Sequence, residues 1–265
     1  MMAWFLRTHA GRFLVVLSAC GLIACSEDRG QNIVDSRVAD LLSEMSIEQK
    51  VAQMIQGEIA HVTPDDMKRF GLGSVLNGGG SFPDKNKYAS LQDWVKLADS
   101  YYLASVDTSE GNAGIPTIWG TDAVHGHNNV IGATIFPHNI ALGAVWDAKL
   151  AAAIAEATAR EVSATGIDWI FAPTVAVALD ARWGRAYESY GSDPTMTGDF
   201  AGGIVEAMQS VGIVATAKHF IGDGGTARGI DQGNTRLDKD SLLSVHGQGY
   251  YSAIEAGVQT VMASF

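Results

Sequence analysis

The sequence predicts an α/β fold of the (β/α)8 TIM-barrel type, present as an incomplete barrel of about six units where a closed one has eight. Three observations carry that reading. The strand candidates are apolar on both faces and alternate with helical stretches, the pattern of a parallel sheet covered by helices. Loops that follow strands are long and polar, while joints from helix to strand are tight and closed by glycine; such barrels build their sites from the loops at the C-terminal strand ends. No Gly-x-Gly-x-x-Gly run follows the first strand, which weighs against a doubly wound, nucleotide-binding sheet.

Arg7 and Arg12 frame the start of the chain, and the apolar run Phe13 to Cys20 is too short to span a bilayer. Leu22-Ile23-Ala24-Cys25 then has the pattern of a bacterial lipoprotein signal. Leu17-Ser18-Ala19-Cys20 fits too, but the polar stretch Ser26-Glu27-Asp28-Arg29-Gly30-Gln31 follows Cys25 at once and favours that residue. Residues 1–24 are read as a signal peptide, Cys25 as the lipidated residue, 25–36 as a polar linker and 37–265 as barrel. An ordinary secretory signal is the alternative. In both cases the mature chain is exported, to the periplasm or the outer membrane, and meets a membrane only through an N-terminal lipid anchor.

Val38 to Gln56 has apolar residues at helical spacing, with a restart at Ser46-Ile47-Glu48-Gln49 that looks like a capping box. Gly73 to Asn77 reads as a short strand running into Gly78-Gly79-Gly80, and Leu91 to Ser105 as a helix. Ile115 to Thr121 is a buried strand that stops at Asp122. Lys149 to Thr165 is an Ala-rich helix closed by Gly166. The strand Ile167 to Val177 and the helix Phe200 to Val211, closed by Gly212, come next. Ile213 to Phe220 is a strand, Ser241 to Ala256 a helix followed by Gly257, and Val258 to Phe265 a last apolar strand. Ending there would leave a bare hydrophobic edge, so the expectation is a part of a longer protein.

Composition narrows the function. Across 265 residues the net charge is −11, so non-specific nucleic-acid binding, which needs a basic face, is not expected. Two cysteines, both in or beside the signal, cannot make a disulfide scaffold. Hydrophobic residues at 47% supply ample core.

Polar residues collect at the strand ends: Gly120-Thr121-Asp122-Ala123-Val124-His125-Gly126-His127, Arg182-Trp183-Gly184-Arg185 with Glu188, and Lys218-His219-Phe220 followed by Gly222-Asp223-Gly224-Gly225-Thr226. Carboxylates, cations, imidazoles and aromatics at one mouth suit a polyhydroxylated ligand, whose hydroxyls need strong donors and acceptors together. His125-x-His127 would suit a metal but lacks a third partner, so no metal ligands are assigned. Arg182 and Arg185, flanking Trp183 and Tyr187, read as a lined cleft, and Ser264 has no nucleophile-elbow motif around it.

Together these blocks, with Met262-Ala263-Ser264-Phe265, resemble the N-terminal barrel domain of the family 3 glycoside hydrolases, the β-glucosidase and exo-β-glucanase family. On the residues alone Asp122 would be the candidate nucleophile; the resemblance makes it the anchor for the hydroxyls of a terminal glucose. It implies Arg182, Lys218 and His219 as its companions and Met262 and Phe265 as pocket floor, Tyr often standing where this chain has Phe265. It also implies a retaining mechanism with an Asp nucleophile and a Glu acid/base, both expected beyond Phe265, so that residues 1–265 alone are expected to be inactive. The N-acetylglucosaminidase branch carries a His where Asp223 stands, which favours glucosides.

The expectation is thus an exported, lipid-anchored enzyme removing terminal non-reducing β-D-glucose from β-glucans or their oligosaccharides, with no cofactor. A non-catalytic glycan-binding lipoprotein and a barrel metallohydrolase using His125 and His127 are the alternatives. Because neighbouring residues on a strand point to opposite faces, Lys218 and His219 cannot both reach one mouth from regular backbone. A distortion is therefore predicted there, a non-proline cis peptide being the candidate.

Overall fold

Six strands pair side by side in chain order, every neighbouring pair parallel, in the computed structural model, which describes residues 36–265. They are β1 (Gln56–Glu58), β2 (Ser74–Asn77), β3 (Ile118–Thr121), β4 (Trp169–Ile170), β5 (Val214–Phe220) and β6 (Thr260–Ala263). The signal, Cys25 and nearly all of the linker lie outside the described residues. The chain divides into one unit up to Lys50 and a second from Val51 to Phe265. In the first, residues 36–44 are helical and α1 (Ile47–Gln53) begins. Its start is the expected capping box: Ser46 Oγ accepts from Gln49 N at 3.2 Å while Gln49 Oε1 accepts from Ser46 N at 2.8 Å.

The second unit holds the sheet and its helices: α2 (Pro64–Phe70), α3 (Leu91–Val106), α4 (Asn139–Val145), α5 (Ala148–Ser163), α6 (Pro194–Gln209), α7 (Lys239–His246) and α8 (Gln248–Glu255). Parallel strands in sequence order, joined by helix-bearing crossovers, are the incomplete (β/α)8 arrangement that the alternation predicts. Val75, Ile170, Ala215 and Ala217 are fully buried, as strands covered by helices require. Helix α6 packs on both α5 and α8, and Trp94 of α3 meets Trp119 of β3 at 5.9 Å between ring centroids.

Several details differ from expectation: the strand expected over Ile167 to Val177 is regular only at Trp169–Ile170, and the helix expected from Phe200 starts at Pro194. β1 is absent from the sequence reading because it is only three residues long and its first, Gln56, is the last of the stretch read as helical. α2 and α4, seven residues each, are too short for a periodic signal, although Thr63 and Asp66 do form a capping box on α2. The helix expected over Ser241 to Ala256 is two: α7 closes with Gly247 N donating to Leu243 O, and α8 opens with Tyr250 N donating to Gly247 O. A Cβ at Gly247 would lie 2.3 Å from Leu243 O, so only glycine fits this joint.

His127, expected at the site mouth, is instead wholly buried, edge-on to Trp94 and with Nε2 3.2 Å from Thr165 Oγ1. Burial lowers its pKa to about 4, the charge of Glu161 working weakly the other way. The unfolded chain therefore takes up its proton near the ordinary value of about 6.5, well before the folded chain does. His127 thus contributes stability that is fully present above that pH and is lost as the pH falls towards 4. The unfolding free energy is expected to drop over this window by up to about 3 kcal/mol from His127, and His127→Gln to flatten the pH dependence; equal slopes in both proteins would contradict it.

Candidate functional site

The C-terminal ends of β3 and β5 and the loop after β4 deliver the charged groups. Asp122 follows directly on β3, and Lys218 and His219 close β5. The Lys218–His219 peptide is cis, as is Phe220–Ile221, and the β5–β6 register shifts between Lys218 and Phe220. Lys218 Nζ donates to Asp122 Oδ1 at 2.8 Å; the ammonium-bearing side chain is 4% exposed, its carboxylate partner 59%. The cation is sunk in the protein and the anion faces the opening.

Beside this pair, Arg185 grips Glu188 with two parallel hydrogen bonds, Nε to Oε1 at 2.8 Å and Nη2 to Oε2 at 2.9 Å. Bidentate geometry of this kind is both strong and directional. Those bonds to Glu188 raise the Arg185 pKa further above its ordinary value. Arg185 Nη2 also lies 3.2 Å from His219 Nε2, while His219 Nδ1 lies 2.5 Å from Asp223 Oδ2. Asp223 is buried, which favours its neutral form, yet the hydrogen bonds from His219 and Ser264 and the charge of Arg185 hold its pKa below the ordinary carboxylate value.

Asp122, Lys218, Arg185, His125, His138 and Tyr187 line one cavity of about 200 Å³. His125 and His138 stack with centroids 3.8 Å apart, and Tyr187 meets His138 edge-on at 4.7 Å, so flat rings share this cavity with the charges. His125 Nδ1 donates to Phe136 O at 2.9 Å. Burial, and then the neighbouring His125, lower the His138 pKa. The loop can turn this tightly because Gly126, at φ +111°, passes where a Cβ would sit 2.1 Å from Thr134 O.

Of the residues singled out in the sequence, Asp122 and Lys218 come together, and His219 joins them through Arg185. Arg182 does not. Its side chain is 71% exposed and held by Asp180, Nη2 to Oδ2 at 2.6 Å, and Arg185 rather than Arg182 lines the cavity. Between the two arginines Trp183 is buried, its Nε1 donating to Asp231 Oδ1 at 2.9 Å, and the chain turns around it. Met262 pairs in register with Lys218 on β6 but does not line the cavity. Phe265 is 95% exposed and borders a different hollow of about 350 Å³, together with Asp223 and Ser264. Tyr187, read in the sequence as part of a lined cleft, stands in this wall, whereas His138 gives no such signal, since no sequence spacing ties residue 138 to 187. Among the described residues no three His, Cys, Asp or Glu side chains gather as metal ligands, and His125 and His127 part company, one at the cavity and one in the core.

The family model described as "Glycosyl hydrolase family 3 N terminal domain" matches residues 46–265. The chain belongs to that family. This family 3 chain is 29% identical over 254 residues to a lysosomal beta glucosidase of Dictyostelium discoideum, covering 86% of this chain and 31% of the relative. It is 29% identical to a beta-xylosidase of Formosa agariphila, covering 86% and 27%. Its fold is similar to the crystal structure of an exo-1,3/1,4-beta-glucanase from a Pseudoalteromonas species, with a TM-score of 0.85 at 53% identity, covering 88% of this chain and 30% of that one. The family 3 chain thus spans about a third of the length of the relatives it matches.

The two arginines separate in experiment. Arg185→Met strips a mostly buried Glu188 of its partner and is expected to cost on the order of 2 kcal/mol, discounted for partial exposure. Arg182→Ala, at a solvated pair, is expected to leave the denaturation midpoint unchanged. Equal effects would mean that the site does not depend on Arg185.

Proposed function

We propose that this chain is the sugar-holding side of an exo-acting β-glucosidase or β-glucan glucohydrolase, removing terminal non-reducing β-D-glucose from β-glucans or their oligosaccharides. The observation that carries the reading is the Lys218–Asp122 pair opening on the cavity beside Arg185. A carboxylate held by a buried ammonium is fixed in place, and its open side accepts from two neighbouring sugar hydroxyls. Lys218 and Arg185 donate to others, and the rings of His138 and Tyr187 offer apolar faces to the C–H side of the pyranose. Likeness to enzymes named beta glucosidase and exo-1,3/1,4-beta-glucanase supports glucose as the sugar.

The chemistry in this reading is a retaining double displacement. One carboxylate attacks the anomeric carbon, a second protonates the leaving oxygen, and the two stand about 5–5.5 Å apart. Residues 36–265 bind and orient; nucleophile and acid/base are supplied from outside them. Fixing the ring by its hydroxyls, with bonds that tighten as the ring flattens towards an oxocarbenium ion, is how such a pocket lowers the barrier. We also propose export and acylation at Cys25, supported by Leu22-Ile23-Ala24-Cys25. Among the described residues no helix is long and apolar enough to cross a membrane.

The full-length gene product is expected to hydrolyse an aryl β-D-glucoside, to release the β-anomer first, and to keep its rate in strong chelators. Asp122→Ala is expected to lower kcat/KM by about a hundredfold or more, the size of a lost charge-assisted contact made in the transition state. Release of the α-anomer would overturn retention, binding without turnover would favour a glycan-binding protein, and loss of activity to chelators would revive the metal reading. For the anchor, Cys25→Ser is expected to free the protein from the membrane fraction; retention there would reject acylation at this cysteine.

A further inference from the structure

Asp223 touches no part of the cavity that Asp122 and Lys218 line, yet it is tied to it through a single ring. We infer that Asp223 is a positioning residue for sugar binding, holding His219 in the one tautomer that can stand beside Arg185; the inference rests on the sugar-binding reading proposed above. A guanidinium has donors only, so His219 Nε2, 3.2 Å from Arg185 Nη2, must present its lone pair there. The ring proton then sits on Nδ1 and is donated to Asp223 Oδ2. A carboxylate that always accepts at Nδ1 makes this arrangement the stable one, as the partner of a ligating histidine does elsewhere.

Asp223 itself has little freedom. Ser264 Oγ donates to its other oxygen, Oδ1, at 3.0 Å. Gly222 and Gly224 flank it at positive φ, and a Cβ at Gly224 would lie 2.4 Å from Val177 O, so the loop is laid down against the segment after β4. The carboxylate is thereby fixed from two elements, the β5 loop and the end of β6. Without it, nothing on the Nδ1 side distinguishes the two tautomers. The Nε2–H form would set one donor against another at Arg185 and drive ring and guanidinium apart. Arg185 lines the cavity, so the disturbance reaches the sugar without any contact from Asp223.

The test uses the full-length gene product. In the wild-type protein, ring 15N shifts of His219 are expected to show Nδ1 protonated and Nε2 bare; the opposite tautomer, or a doubly protonated ring at neutral pH, overturns the inference with no variant needed. Asp223→Ala is expected to mix the two tautomers and to raise KM for a β-glucoside and the dissociation constant for glucose about tenfold, with a smaller change in kcat. Asp223→Asn keeps an acceptor and is expected to recover most of that loss. In a His219→Ala background Asp223→Ala is expected to add less than about twofold, because the residue acts through the ring. An undiminished effect in that background, or an Asn variant as weak as Ala, would overturn the assignment. A wild-type protein that neither binds glucose nor turns over any β-glucoside would instead reject the reading of the site, leaving the shift measurement to decide the tautomer on its own.

Discussion

A buried ammonium has to be met by an anion, and the site is arranged around that requirement. Lys218 is carried near the end of β5 and its side chain is almost wholly buried, where an unpaired charge would be costly. Its partner Asp122 lies 96 residues away in sequence, at the end of a strand that is not even adjacent in the sheet, since β4 runs between β3 and β5. The pair therefore holds two strand ends at a set separation. The Arg185–Glu188 fork is placed beside it by the loop that leaves the strand in between. Parallel strands in chain order bring all these loops to one edge of the sheet.

The groups around this pair divide into two kinds. Asp122, Lys218 and Arg185 are charged partners that hydrogen-bond strongly and with direction, whereas His125, His138 and Tyr187 present flat faces. A pyranose has hydroxyls around its rim and C–H bonds on its faces, and such a mixed lining matches it. A metal site would need its imidazoles to converge with a third ligand; here one is stacked, another is in the core, and the ring at position 219 is engaged on both nitrogens. Two arginines three positions apart also play unlike parts, because one meets solvent and Asp180 while the other meets Glu188 and His219.

Much of this was legible in the sequence. Alternating apolar strands and helices, and glycines that close α5, α6 and α8 at Gly166, Gly212 and Gly257, marked out a barrel-type parallel sheet. Asp122, Lys218 and His219 stood out because charged residues at the end of an apolar strand have few reasons to be there. The alternation of side chains along a strand even required the backbone to depart from regularity at Lys218–His219, and it does. Other features left no such trace. β1 is three residues long and carries no period, and the break between α7 and α8 rests on one glycine inside an otherwise helical stretch.

The amino-acid sequence by itself determined the element order, the sheet type and the blocks from which the site is made, because periodicity, capping and strand alternation are set by residues a few positions apart. Only the tertiary structure decided which members of those blocks meet. Arg185 rather than Arg182 reaches the cavity because Trp183 is anchored to Asp231, 48 residues on. His138 and Tyr187 close its wall through a contact between loops remote from one another in the chain. Distances across a folded sheet are not written in any local pattern, and they sort similar side chains into those that line the cavity and those that do not.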